Sequence, residues 1–317
     1  MPAQSFSSVQ VMELIDKKRD LICISSKQTI CETLELLLNE KLISVPIYGE
    51  PNHWISCGGF NLIVDNKQFI GIVSLADLLL FVLKADTTGG QKEAMLQPAY
   101  KALGLTNESL SLWAVTSTTP LSQAMELFCK GIHHCLIYTN NQEATHNLKP
   151  MKILSQYDII NYFNNNMNNY PILQLIGNKP INLFATIHVI TIHIYDTMIH
   201  ALDLLTRCTC IPVLDKQGEI VTNLSLSDLK GHYPLLLTMS NTYTVYEFLH
   251  EIYQGELKHP VYVTATEPLR IVIHMMIIHK IHRVWIRQTP STYKDAVAGV
   301  VTMTDVIKAV YDADQTE

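Results

Sequence analysis

GVVTMTDVIKAV, the stretch from Gly299 to Val310, combines a short apolar strand, a turn and the start of a helix. The turn contains the pattern T-x-x-D, formed by Thr302 and Asp305. At the first turn of a helix, such side chains satisfy exposed backbone N–H groups, so the pattern predicts a capped strand-to-helix turn. The carboxylate of Asp305 is then expected near the mouth of whatever cleft the strand opens on.

The same pattern occurs three more times in the chain. Ser74–Asp77, Ser155–Asp158 and Ser225–Asp228 each follow a short apolar stretch and precede a pattern typical of a helix. The copies lie roughly 70 to 80 residues apart, a spacing that favours repeated small modules over a solenoid. One such tetrapeptide arises easily by chance, whereas four copies in the same context indicate an internal repeat.

Each repeat predicts one series of elements, namely a strand, an amphipathic helix, two more strands and the helix after the capped turn. A module with three strands cannot bury both faces of its sheet alone, so we expect the modules to pack in pairs. The sequence therefore predicts an α+β fold of four β-α-β-β-α modules in two pairs. The predicted modules are residues 1–85, 106–168, 182–245 and 250–317.

Polar segments indicate where these modules are separated. The asparagine-rich run Asn164–Asn169 predicts the boundary between two similar halves, 1–168 and 180–317, with two modules each. Residues 85–105 predict a mobile connection, and loops are predicted at 138–150 and 288–295.

Length and composition exclude several classes of protein. The 317 residues suggest about two domains, and a hydrophobic content of 48% excludes a disordered chain. A formal net charge of −6 argues against a protein that coats nucleic acid. The seven cysteines show no zinc spacing, which favours free thiols in a reducing compartment. We expect no signal peptide and no membrane span.

Several motifs resemble the cystathionine-β-synthase (CBS) domain. They include Ile211-Pro212-Val213-Leu214-Asp215, the similar Val45-Pro46-Ile47, and the G-V-V-T-x-x-D ending of the last repeat. Because four copies cover nearly the whole chain, it resembles the γ subunit of AMP-activated/Snf1-type protein kinases. That resemblance implies two Bateman units in a disk, with AMP, ADP or ATP as regulatory ligand and no required metal. It also implies kinase catalytic and scaffold subunits as partners, in the cytoplasm and also the nucleus.

Two local motifs carry the closer resemblance to the γ subunit. Lys280-Ile281-His282-Arg283 resembles the phosphate-contacting I-H-R motif of that family, and Gly131-Ile132-His133-His134 resembles its second-repeat counterpart. The chain departs from the family at Leu42-Ile43-Ser44, which lacks the usual Arg, and at Tyr157, where the family has Lys. We therefore expect fewer bound nucleotides than sites. The departures also leave open a four-CBS scaffold, or a phosphatase regulator of the Sds23 type.

The candidate nucleotide-binding residues follow from the repeats. A carboxylate can accept hydrogen bonds from both hydroxyls of a ribose, and the cap residue before it can face the same ligand. The ribose-contacting candidates are Ser74, Asp77, Ser155, Asp158, Ser225, Asp228, Thr302 and Asp305. The phosphate-contacting candidates are His133, His134, His282 and Arg283. The simpler alternatives are that the first group only caps helices and that the second lies at solvated strand ends.

Neither a metal site nor an enzyme is predicted. His188 and His193 would lie on opposite faces of a strand, so we interpret them, with His200, as ordinary histidines. No phosphate-binding loop, zinc-protease or hydrolase motif is present in the sequence. A protein with nucleotide-like sites and no catalytic group is typical of a sensor, which makes a non-catalytic kinase regulator our prediction.

Overall fold

The computed structural model describes residues 5–57, 61–85, 90–106, 108–138, 151–238, 242–287 and 297–316. Most of the loops predicted at 138–150 and 288–295, and residues 86–89 of the predicted connection, lie outside the described residues. Within the described ranges, no helix has the length and apolar character needed to cross a bilayer.

The chain begins with a 3₁₀ helix, Phe6–Ser8, and helix α1, Val11–Ile15, and then enters the first module. Module 1 consists of β1 (Ile24–Ser25), α2 (Ile30–Asn39), β2 (Ser44–Gly49), β3 (Leu62–Val64), β4 (Lys67–Ser74) and α3 (Leu75–Leu83). Helix α4, Gly90–Met95, leads toward the second module. Module 2 consists of β5 (Ala114–Thr116), α5 (Leu121–Phe128), β6 (His134–Tyr138), β7 (Lys152–Ser155) and α6 (Gln156–Asn165).

Helix α7, Pro171–Gly177, connects the second module to the third. Module 3 consists of β8 (Ile192–His193), α8 (Met198–Leu205), β9 (Cys210–Leu214), β10 (Ile220–Ser225), α9 (Tyr233–Thr238) and α10 (Val245–Ile252). Module 4 consists of β11 (Tyr262–Val263), α11 (Leu269–Ile278), β12 (Arg283–Arg287), β13 (Val297–Thr302) and α12 (Met303–Asp314). The predicted order of elements is therefore present in all four modules, apart from the last helix of module 3.

The four sheets share one topology. In every module the first strand runs parallel to the second, and the second pairs antiparallel with the strand that ends in the cap residue. The parallel pair needs a crossover connection, which the first helix of each module supplies. Module 1 adds β3 at the edge of its sheet. The capped turn thus always lies at the end of an antiparallel strand.

Module 3 departs from the predicted series after its cap residue. The chain forms turns from Leu226 to His232, and the next helix, α9, starts only at Tyr233. Gly231 adopts a left-handed backbone conformation with φ of 81°, which interrupts any α-helix at this point. The prediction of a helix directly after Asp228 is therefore wrong for this module.

The modules pack into two compact units. Unit 1 comprises Met1–Leu21, Trp113–Val189 and Val261–Glu317, and unit 2 comprises Ile22–Leu112 and Ile190–Pro260. Each unit has its own apolar core. In unit 1, helices α5 and α6 of module 2 pack on α11 and α12 of module 4, whereas in unit 2 α3 packs on α8.

This pairing differs from the sequential halves, 1–168 and 180–317, that the sequence predicts. Modules 2 and 4 share one core and modules 1 and 3 share the other, so the Asn164–Asn169 run lies inside unit 1. The physical reason is that the apolar helix faces bury against non-consecutive modules. The hydropathy pattern shows that a helix has an apolar face, but it does not show which other helix covers that face. Residues 5–21 also lie in unit 1, so the unit that contains module 1 begins at Ile22.

The core position of α1 yields a stability prediction. Ile15 is 0% exposed in the core of unit 1, whereas Ile187 of the same unit is 69% exposed. Ile15→Ala should lower the free energy of unfolding by about 2–5 kcal/mol, because it removes buried methyl groups and leaves a cavity. The matched control Ile187→Ala should change it by less than about 0.5 kcal/mol. Urea unfolding of both variants measures the difference, and equal losses would mean that α1 is not part of the core.

Candidate functional site

Each module ends in a turn of the same construction. The cap residue pairs across the sheet with the first residue of the second strand of its module, as Ser74 with Ser44, Ser155 with His134, Ser225 with Cys210, and Thr302 with Arg283. The residue after the cap also bonds to that second strand. Its backbone N–H donates to the carbonyl of the residue just before the cap's strand partner, as Leu75 to Ile43, Gln156 to His133, Leu226 to Thr209, and Met303 to His282. His133-His134 and His282-Arg283 therefore occupy equivalent positions beside their turns.

The aspartate of each turn closes onto its own cap residue. In all four turns, Oδ2 of the aspartate accepts hydrogen bonds from the backbone N–H and the side-chain hydroxyl of the cap. The N–H contacts measure 2.7 to 2.8 Å. Helix capping, the simpler alternative, thus accounts for one carboxylate oxygen. Any capacity for a ligand depends on what surrounds the other oxygen, Oδ1.

In module 1, the protein itself surrounds the carboxylate. Asp77 is 0% exposed, and its Oδ1 accepts a hydrogen bond of 2.8 Å from the Ser109 hydroxyl. The hydroxyl of Thr106 donates to Oδ2 at 3.1 Å. Burial raises the pKa of Asp77, and hydrogen bonds from Ser74, Ser109 and Thr106 oppose that rise. Asp77 and Ser74, two predicted ligand residues, are therefore enclosed by the segment after module 1.

In module 3, a tyrosine hydroxyl binds the second oxygen of the carboxylate. The Tyr253 hydroxyl donates a hydrogen bond to Oδ1 of Asp228. Burial and then the charge of Asp228 raise the pKa of Tyr253. The ammonium group of Lys258 lies 4.3 Å from the centre of the same ring. Both aspartates of unit 2 thus have their second oxygen bound by side chains of the protein.

In module 2, the surroundings differ. Within the described part of the chain, Oδ1 of Asp158 accepts no hydrogen bond. Lys18 Nζ lies 2.7 Å from Oδ2, so the cation and the cap residue share one carboxylate oxygen. The side chains of Lys18 and Asp158 are 33% and 13% exposed. This turn therefore keeps one partly accessible acceptor next to a positive charge.

The turn of module 4 resembles that of module 2 in the surroundings of its carboxylate. Among the described residues, Oδ1 of Asp305 accepts no hydrogen bond either. Burial raises the pKa of Asp305, and the hydrogen bonds from Thr302 lower it, followed by the charges of Arg283 and Lys308. Arg283, a predicted phosphate ligand, lies opposite Thr302 across the sheet, and its charge lowers the pKa of the carboxyl group. This turn combines an open acceptor with a guanidinium group.

The two turns of unit 1 contact each other directly. Gln156, which is 7% exposed, follows the cap residue of module 2. Its Nε2 donates to Thr304 Oγ1 of module 4 at 2.8 Å and to the carbonyl of Ile132 at 3.0 Å. The structure therefore brings the candidate residues of modules 2 and 4 together, which the sequence did not indicate.

Other features lie apart from the turns. A cleft of about 370 Å³ opens between α3 and α8 of unit 2, lined in part by Leu80, Lys84 and Asp203, and no candidate residue lines it. In the described ranges, no three His, Cys, Asp or Glu side chains come together to hold a metal.

Comparison with known proteins gives this geometry a context. The profile of the CBS domain matches residues 183–233 and 255–312, which lie in modules 3 and 4. The chain is 25% identical over 355 aligned positions to the SNF1-related protein kinase regulatory subunit gamma-like PV42b of Arabidopsis thaliana, covering 98% of this chain and 97% of that protein. These similarities confirm the predicted resemblance to a CBS-containing γ-like subunit.

A second relative and a solved structure add to this. Protein SDS23 of Vanderwaltozyma polyspora is 24% identical over 91% of this chain, which spans only 57% of that relative's length. The crystal structure of a Methanocaldococcus jannaschii protein, described as a candidate archaeal homologue of the AMPK γ subunit, superimposes with a TM-score of 0.67. It covers 95% of this chain and 99% of that one at 13% identity. The predicted α+β fold of paired CBS modules is thereby confirmed.

The enclosed carboxylate of module 1 predicts a pH dependence. Burial raises the pKa of Asp77 above the value of about 3.9 that holds in an unfolded chain. Between the two values the folded protein binds the proton more tightly, so the free energy of unfolding falls as pH rises. Relative to Asp77→Asn, the wild-type chain should be most stable below about pH 4 and lose this advantage toward neutrality. Urea unfolding of both across this range tests it, and an advantage that grows with pH would contradict it.

Proposed function

We propose that this protein is a non-catalytic regulatory subunit of a protein kinase that senses an adenine nucleotide at the two turns of unit 1. One observation carries the proposal. Of four equivalent aspartates, Asp77 and Asp228 have Oδ1 bound by side chains of the protein, whereas Oδ1 of Asp158 and Asp305 accepts no hydrogen bond from the residues that the structure describes. The two open carboxylates are also those beside a cation, Lys18 or Arg283.

The chemistry of these turns fits a nucleoside phosphate. Oδ2 of Asp305 is held by its cap residue, so Oδ1 is presented in a fixed direction. A ribose hydroxyl would donate to this oxygen, and the planar fork of Arg283 suits a phosphate group. His282 precedes Arg283 and can add a donor to the same anion. The relative from Arabidopsis named as a kinase γ-like subunit supports the same class of function.

The bond between Gln156 and Thr304 suggests how occupancy is communicated. This hydrogen bond joins the start of α6 to the start of α12. A ligand that moves the capped turn of one module would therefore also displace the capped turn of the other. The free energy of regulation then equals the difference between two free energies of nucleotide binding. One is for the free protein, and the other is for its complex with the catalytic and scaffold subunits. We further propose that the protein works in the reducing cytoplasm, in keeping with its free-thiol composition.

The second candidate is a four-CBS scaffold or a phosphatase-regulating protein with empty or partly filled sites. It is favoured by the two turns of unit 2, where side chains of the protein take the place of a ligand. Similarity to Protein SDS23 favours it as well. Whether the purified protein carries or binds AMP distinguishes the two candidates, because a scaffold with empty sites requires no nucleotide.

The first test concerns Asp305. Its contact with a ribose would be charge-assisted and contribute on the order of 1.5–3 kcal/mol, so Asp305→Ala should weaken AMP binding at the module 4 turn roughly tenfold to a hundredfold and leave binding at the module 2 turn. Asp312→Ala, which removes an exposed carboxylate from the same helix, serves as the matched control and should leave affinity unchanged. Calorimetry measures affinity and a thermal melt measures stability on the same samples. If Asp305 is only a cap, stability falls by about 0.5–2 kcal/mol and affinity stays.

The second test concerns Arg283. Its guanidinium would bind phosphate, so Arg283→Ala should weaken AMP binding by a similar factor, about tenfold to a hundredfold. Because the lost interaction is between charges, the loss should be larger at low salt than at high salt. Adenosine, which lacks the phosphate, should bind the variant and the wild-type chain equally well. An equal loss for adenosine would show that Arg283 acts on the fold of the turn instead.

The third test concerns stoichiometry. Two of the four turns are closed by side chains of the protein, so the chain should bind at most two equivalents of AMP. Calorimetry with AMP in excess gives this number directly. Four equivalent tight sites would contradict the proposal, because Asp77 and Asp228 have no open oxygen for a ribose.

A further inference from the structure

Lys18 lies outside all four modules and yet contacts a candidate ligand residue. It follows α1, 140 residues away in sequence from Asp158, and its ammonium group approaches Oδ2 of that aspartate at 2.7 Å. The described residues take only one of its three N–H donors. The same carboxylate carries Oδ1, the oxygen that the described residues leave without a hydrogen bond.

Module 2 itself holds Lys18 in this position. The side chain of Lys152, in β7, donates to the carbonyls of Ile15 and Lys18 at 3.3 and 2.8 Å, and also to that of Asp16. The backbone N–H of Leu21 donates to the carbonyl of Met151 at 2.8 Å. A single lysine thus caps the carboxyl end of α1, and the main chain around Lys18 is bound to Met151 and Lys152, at the start of β7. The fold therefore holds the backbone of Lys18 beside the module 2 turn.

The turn of module 2, residues 155–158, contains no basic residue of its own. Tyr157 precedes Asp158, so the turn places no cation there. In module 4 the equivalent carboxylate has Arg283 nearby, on the strand opposite its cap residue. The corresponding strand position in module 2 is His134. Lys18 brings a permanent positive charge to the module 2 turn from a different part of the chain.

We propose that Lys18 is the phosphate-binding cation of the module 2 turn, so that the segment before module 1 completes a ligand site in module 2. This inference rests on the proposed nucleotide function. The ligand class is a nucleoside phosphate, whose ribose hydroxyl donates to Oδ1 of Asp158 while its phosphate accepts from the two remaining donors of Lys18. Lys18 keeps its contact with Oδ2 and bridges the carboxylate and the phosphate.

The same geometry admits an opposite role, which the experiment separates. If Lys18 instead acts as a lock, its ammonium group competes with the ligand for the carboxylate. Removing it would then tighten binding. If Lys18 is a phosphate ligand, removing it weakens binding, so the sign of the change decides between the two roles.

The test uses the full chain with Asp305→Ala, which weakens AMP binding at module 4 and leaves module 2 as the tighter site. In this background, Lys18→Met should weaken AMP binding about tenfold, equivalent to ~1.4 kcal/mol. Lys18→Arg should restore affinity to within a few-fold. Lys17→Met, which removes the neighbouring exposed lysine, is the matched control and should leave affinity unchanged.

A second readout does not depend on calorimetry. Trypsin cuts after Arg19, one residue beyond Lys18, and all the variants keep this bond. Saturating AMP should slow cleavage at this bond about tenfold when Lys18 is present and have no effect on Lys18→Met, because the ligand ties down the segment. Unchanged or tighter AMP binding by Lys18→Met overturns the inference, as does an absence of AMP binding in the Asp305→Ala background. Absence of AMP binding by the wild-type chain would instead overturn the proposed function.

Discussion

The hydrogen bonds from the cap residue to Oδ2 of the aspartate are the interaction on which each module depends. They end the last strand, direct the chain away from the sheet and fix the orientation of the carboxylate. A buried carboxylate without these donors would be costly, because its charge would be desolvated and unpaired. Since Oδ2 is bound by the cap residue in every turn, the four turns differ from one another in the surroundings of the other oxygen, Oδ1.

The surroundings of Oδ1 are of two kinds in this chain, and each kind occurs in one of the two units. In unit 2, the hydroxyl groups of Ser109 and Tyr253 donate hydrogen bonds to Oδ1, so both oxygens of each carboxylate are bound within the protein. In unit 1, Oδ1 of Asp158 and Asp305 is left without a hydrogen bond within the described part of the chain, and Gln156 ties the two turns together. The two units thus treat the same local pattern differently, since the second carboxylate oxygen is bound by the protein in one unit and has no hydrogen bond from the described residues in the other.

Much of this organisation could be predicted from local sequence. The four turns, the order of elements along each module and the equivalence of His133-His134 with His282-Arg283 all follow from short-range patterns of caps and apolar residues. The partners of the carboxylates could not be predicted, because Ser109 and Tyr253 lie 25 to 32 residues from their aspartates and Lys18 lies 140 away. The pairing of modules was also missed, since an apolar helix face does not specify which other face covers it. In module 3, Gly231 signals the interruption that the repeat pattern concealed.

The interleaving of the two units has a consequence for how the chain is made. Unit 2 ends at Pro260, whereas unit 1 needs both the first 21 residues and everything after Val261. On a ribosome, the core of unit 2 can therefore close while that of unit 1 still lacks its last module. The first segment and module 2 must wait, partly uncovered, until α11 and α12 emerge, and contacts between such distant segments form slowly. The turns beside Lys18 and Arg283 are thus the last parts of the molecule to mature, and a chain truncated after Pro260 would keep all of unit 2 and lose the last module of unit 1.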